Sequence, residues 1–240
     1  MKKFYTAILL TLFMLPAVST FAQQYKIGEK YINLPSPNNF ADISSTHPKY
    51  YADIIAMTVP ASNEAVGLFL TNNDIAALNA GQSAKMDRYL MVQSNKAIKD
   101  ANITKETFAK VVNASKNQTK KMKEELDRKI TQQQNKTTQI AKEKFGVDLD
   151  FSQTDVKQLG AFNDSPEIFS TAAIRKITDN INGQEDTYLI LSTTNLINVK
   201  SKLIYAYAYS VKDLNDDIDA ELEWLKNTST RWSKAIIAAN

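Results

Sequence analysis

The passage that most restricts the fold runs from Lys202 to Val211, where large and small side chains alternate. In an extended strand Leu203, Tyr205, Tyr207, Tyr209 and Val211 fall on one face, and Ile204, Ala206, Ala208 and Ser210 on the other. Such a strand belongs inside a sheet. The segment that follows, from about Asp213, carries Leu214, Ile218, Leu222, Leu225, Trp232 and Ile236 at spacings of three, four or seven. That is an amphipathic C-terminal helix with one apolar stripe, which must pack on the sheet. Asn227-Thr228-Ser229-Thr230 are poor helix formers and mark an expected bend.

The rest of the second half is also β-rich, with strands expected over Val156–Phe162, Ile168–Ile177 and Thr187–Leu191. Asn182-Gly183 suits a two-residue hairpin turn, because both positions tolerate positive φ. In the first half, Tyr25 to Leu34 reads as one extended segment stopped by Pro35-Ser36-Pro37. Pro48 opens a short helix that Pro60 closes. Ala65–Leu70 and Tyr89–Val92 read as strands, with a short helix from Asn73 to Ala80 ended by Gly81.

Between Thr104 and Phe145 there is neither glycine nor proline, and 11 basic residues face 5 acidic ones. The sparse apolar positions repeat at helical spacing with a polar gap between Gln132 and Gln139, so one long helix, or two with a break, is expected over 104–145. Lys116, Lys120, Lys123 and Lys129 are its candidates for contact with an anionic surface; the alternative is a solvated helix face. Tyr205, Tyr207 and Tyr209 likewise admit two readings, a carbohydrate or peptide platform or packing between sheet and helix.

At the N-terminus Lys2 and Lys3 precede an uncharged apolar run, Pro16 closes it, and Thr20-Phe21-Ala22 places small residues where a signal peptidase requires them. Residues 1–22 are therefore expected to be a cleaved secretory signal, and residues 23–240 a single exported domain in the periplasm or medium of a bacterium. The run is too short for a membrane span, so no integral span is expected after cleavage. Removing those residues leaves 27 basic and 26 acidic residues, a net charge of +1, and gives no ground for a nucleic-acid partner.

Catalytic constellations are sparse. The chain has no cysteine and one histidine, His47, so the usual zinc sets cannot be assembled from it. It has no Gly-x-Ser-x-Gly elbow for a serine nucleophile, and its six glycines are too isolated to form a phosphate loop. Asp213, Asn215 and Asp217 match the first three spacings of a calcium loop, but Ile218 stands where the glycine is needed and Trp224 where the bidentate glutamate is needed. No catalytic residue, cofactor or metal site is assigned. Paired carboxylates drawn from Asp148, Asp150, Asp155 and Asp164 are the material for an alternative, a secreted hydrolase.

Leu34-Pro35-x-Pro37-x-x-Phe40, Gly67-Leu68-Phe69-Leu70, Asp87-Arg88-Tyr89-Leu90-Met91-Val92-Gln93, Leu159-Gly160-Ala161-Phe162 and Val199-Lys200-x-Lys202-Leu203-Ile204-Tyr205, with Trp224, Trp232 and Ala238-Ala239-Asn240, together resemble a group of uncharacterised exported bacterial proteins. The order of elements is also similar to the α/β/α sandwich of the photosystem extrinsic protein PsbP and its relatives. That likeness implies a bent antiparallel sheet covered by helices. The expectation is an α+β domain: an antiparallel sheet packed with helices, a long basic helical segment and a C-terminal amphipathic helix. In function it is an exported envelope accessory or binding protein without catalytic activity, whose partner is another envelope protein or surface. Its rivals are the hydrolase and an anionic-surface binder acting through the 104–145 helix.

Overall fold

The computed structural model describes residues 23–117 and 120–240; the side chains of part of the 120–145 helix and of the first turns of the strand after it are outside the description. Residues 1–22, the expected signal, also lie outside the described residues. The fold is α+β. A seven-stranded antiparallel sheet has the order β3-β4-β5-β9-β8-β7-β6, formed by β3 (Phe40–Asp42), β4 (Asn63–Thr71), β5 (Arg88–Asn95), β6 (Leu149–Asp164), β7 (Ile168–Ile181), β8 (Gln184–Val199) and β9 (Lys202–Asp213). The extended segment at Tyr25–Leu34 is a separate two-stranded hairpin, β1 (Gln23–Ile27) and β2 (Lys30–Leu34). Gly28 turns it at φ +58°, and a Cβ there would lie 2.7 Å from the Lys99 carbonyl oxygen.

Helices cover both faces of the sheet. On one side α5 (Ile218–Ala238) and the β1–β2 hairpin enclose Ile204, Ala206 and Ala208 of β9 together with Phe69, Leu90 and Leu191. On the other, α1 (Pro48–Thr58) and α2 (Asn72–Asn79) pack on Leu68, Leu70 and Met91, and α3 (Lys105–Lys116) packs through Phe108 and Val112 on Phe169, Leu196 and Leu203. The remaining helix, α4 (Lys120–Phe145), lies beside α1, with the Lys144 ammonium 3.1 Å from Asp53 and the Thr137 hydroxyl donating to the Met57 carbonyl.

Several boundaries differ from the sequence expectation for identifiable reasons. The 104–145 segment is two helices, the second of the two expected forms, with α3 ending at Lys116 and the polar stretch Gln132–Gln139 lying within α4. The closing helix starts at Ile218 rather than near Asp213, because Asp217 is its N-cap and accepts the Ala220 N–H at 3.0 Å. The helix runs unbroken through Asn227–Thr230. Ser229 is fully buried and meets the hydroxyl of Thr193 on β8 at 2.5 Å, so these small side chains let helix and sheet approach closely. β6 and β8 run to 16 residues each, beyond the apolar cores that marked them, because both pair with β7 along nearly their whole length and α4 also contacts β6. The Asn182-Gly183 turn is as expected, with φ values of 52° and 86°. Its counterpart between β8 and β9 is built on Lys200 and Ser201 at φ 48° and 62°, residue types that give no such signal.

Candidate functional site

The residues singled out in the sequence do not meet at one site. Tyr205, Tyr207 and Tyr209 form a stacked row extended by Tyr89 of β5, with ring centroids 6.5, 5.9 and 4.7 Å apart in turn. The row lies on the sheet face opposite α5, so the helix those rings pack with is not the C-terminal one: Tyr205 joins the α3 cluster and Tyr89 the α1 cluster. All four are partly buried, and burial pushes their phenols up from the ordinary tyrosine value. Lys116 pairs with Asp164 and lies 5.5 Å from the Phe169 ring, so its charge is already engaged within the molecule. The side chains of Lys120, Lys123 and Lys129 lie outside the described residues.

Of the candidate acids, Asp148 and Asp164 bracket the whole of β6, on the order of 50 Å apart along an extended strand. They do not share a cleft. The side chains of Asp150 and Asp155 lie outside the description. His47 is the N-cap residue of α1 but makes no side-chain cap bond, its Nδ1 lying 3.0 Å from the Thr46 hydroxyl. Among the described residues no group of three His, Asp or Glu side chains could hold a metal ion.

A different place gathers polar and aromatic groups. A cleft of about 760 Å³ opens between the β2–β3 turn, the start of α2 and the outer stripe of α5. Local chemistry builds each wall. Pro37 and Asn39 shape the turn, in which the Phe40 N–H donates to the Pro37 carbonyl at 3.0 Å and Asn39 takes φ 66°. The Asn39 carbonyl accepts from the Asn72 N–H at 2.9 Å, tying the turn to α2. Trp232 fastens the other end, donating its indole N–H to the Pro35 carbonyl at 2.8 Å while meeting Phe69 edge-on at 5.3 Å.

On α5, Trp224, Thr228, Arg231, Trp232 and Ala235 stand at helical spacing on one stripe and line this cleft, while Leu222, Leu225, Ser229 and Ile236 face the sheet. Trp224 leans on Phe40 with centroids 6.4 Å apart and carries the Arg88 guanidinium 4.2 Å over its ring. Arg88 is held there by a fork on Glu221, Nε to Oε1 at 2.7 Å and Nη2 to Oε2 at 2.5 Å, with Lys212 3.5 Å from the same carboxylate. Beyond Arg88 lies a second cleft of about 520 Å³, lined by Asp74, Asp87, Lys85 and Lys212.

Burial pushes the Glu221 carboxyl up, but the Arg88 hydrogen bonds and the charges of Arg88 and Lys212 outweigh it and hold it below the ordinary glutamate range. A lowered carboxyl contributes stability that is present above the unfolded-state pKa, about 4.3, and is lost as pH falls through the folded value. Glu221→Gln is therefore expected to lower stability at pH 7 by about 1–2 kcal/mol, with the gap closing below about pH 4. Urea unfolding of both proteins from pH 7 to pH 3 checks this; a gap constant across the range would contradict it.

Sequence reasoning passed over Asn38, Asn72, Asn73, Thr228 and Arg231, although the α5 stripe was visible as a second periodicity beside the apolar one. Of the residues quoted for the resemblance, Pro37, Phe40, Arg88, Trp224 and Trp232 line the cleft and the others lie elsewhere. Nearby, Asn240 accepts from the Asn33 N–H and donates to its carbonyl, fastening the end of the chain to β2. Comparison with protein-family models, curated proteins and solved structures finds no match.

Proposed function

We propose that this chain is an exported accessory or binding protein of the bacterial cell envelope, acting without catalysis, and that the cleft beneath α5 is where it binds. The observation that carries the reading is the cleft itself: about 760 Å³, in the size range of small-molecule sites, with aromatic walls and several polar groups turned inward. The basic and apolar character of residues 1–22 supports export. No pair of described candidate acids shares a cleft, so the hydrolase reading draws no support from the geometry. The basic-helix reading draws none from Lys116, which is already paired.

Both tryptophans of the chain line the cleft, so intrinsic fluorescence reports its occupancy. Expressed as the full chain in a bacterium, the protein is expected outside the cytoplasm with Gln23 at its N-terminus. Titration of the purified protein with fractionated small molecules from envelope extracts is expected to give a saturable fluorescence change, abolished by Asn73→Trp, which fills the cleft. Retention in the cytoplasm with residues 1–22 intact overturns the export half of the reading, and the lack of a saturable change with any fraction overturns the binding half.

A further inference from the structure

The geometry points to a carboxylate-bearing saccharide, such as a uronic acid, as the ligand of this cleft; the inference rests on the cleft being the binding site. Charge comes first. Two arginines and no Asp or Glu line the cleft, in contrast to the neighbouring one, where Asp74 and Asp87 offset the cations. The two arginines are not equivalent. Glu221 neutralises Arg88, whereas Arg231 is exposed and has no ion-pair partner among the described residues. A guanidinium offers a planar set of donors that matches a carboxylate.

The remaining polar groups suit hydroxyls. Thr228 is only 8 % exposed, lines the cleft, and its hydroxyl has no hydrogen-bond partner among the described residues. Around it, the side chains of Asn38, Asn39, Asn72 and Asn73 are exposed and make no hydrogen bond of their own. Each amide both donates and accepts, as a sugar hydroxyl does, while phosphate or sulfate would use only the donors. Phe40 is buried and Arg88 covers one face of Trp224, so the partly exposed remainder of the Trp224 ring is the apolar surface for the C–H groups of a pyranose.

The test uses the mature chain, residues 23–240, with digalacturonate as acidic probe, neutral digalactose as its counterpart and acetate as the bare anion, followed by calorimetry and tryptophan fluorescence. Digalacturonate is expected to bind at least about tenfold more tightly than digalactose at low salt, with the advantage shrinking as salt screens the charge. Arg231→Gln is expected to remove that advantage, weakening digalacturonate far more than digalactose, and Thr228→Val to weaken both sugars several-fold; circular dichroism confirms that each variant is folded. Equal binding of the two sugars, or an advantage that survives Arg231→Gln, overturns the acidic component. Acetate binding as tightly as digalacturonate overturns the saccharide component. If no probe binds while envelope fractions still change the fluorescence, the ligand class falls and the cleft reading stands; if neither does, both fall.

Discussion

Lys202→Met is expected to destabilise the protein by about 3 kcal/mol, lowering the melting temperature by roughly 6–12 °C for a domain of this size. Lys202 is an alternating residue of β9 whose side chain is 2 % exposed, a rare position for an ammonium group. Its Nζ reaches Glu29 in the β1–β2 turn at 2.9 Å and donates on its other side to the carbonyls of Asp100 and Ala101, each at 3.1 Å. One charge thereby fastens the hairpin and the 99–101 turn to the central sheet. Methionine preserves the stem but strands two carbonyl groups without a donor, and the unmade bonds set the size of the effect. Glu29, 63 % exposed, can turn to water, so Glu29→Gln is expected to lower stability by under about 1 kcal/mol. Urea unfolding of the three proteins decides the matter. A Lys202→Met protein as stable as the parent would show that the hairpin is held by its apolar contacts alone.

Trp232→Ala is expected to lower stability by about 3–5 kcal/mol, the range for truncating a buried aromatic side chain. The ring is 2 % exposed and sits where α5 crosses the sheet, against Phe69. Its loss opens a void that neither the helix nor the sheet can close, because Leu225 and Ile236 on the same helix are already fully buried in the core. Trp232→Phe separates packing from hydrogen bonding. It keeps most of the ring but leaves the Pro35 carbonyl without its donor, at an expected loss of about 1–2 kcal/mol. Because that bond positions the turn shaping the cleft, the Phe variant is also expected to weaken ligand binding beyond its effect on stability. Thermal unfolding and a fluorescence titration through Trp224 measure the two separately, and a Phe variant with parental affinity would show that the turn is placed without the indole.

Local physics made a good part of this architecture readable before any coordinates. Alternation marked β9, turn chemistry marked Asn182-Gly183, and Pro48, Pro60 and Gly81 punctuated α1 and α2, because each acts through neighbours in the chain. What was misjudged depends on distant partners. The polar ends of β6 and β8 carry no period of their own and are strands because each pairs with β7. Asn227–Thr230, read as poor helix formers, stay helical, and Ser229 packs fully buried against Thr193 of the sheet, where a small side chain permits close approach. Lys202 gave no hint of burial, since the carbonyls that receive it lie about a hundred residues away.

The sequence by itself determined the α+β composition, the amphipathic closing helix and the absence of any cysteine or histidine cluster for metal or nucleophile chemistry. Only the tertiary structure decided which face of β9 each layer covers, with α5 on the alanines and the tyrosines turned toward α1 and α3. It also decided where a ligand can sit. Phe40, Asn72, Arg88 and Arg231 belong to four separate stretches of chain, and no local rule relates them. They share a cleft because the sheet pairs β3, β4 and β5 beside one another and α5 packs back across them, so that contacts made to bury apolar surface bring unrelated polar side chains together.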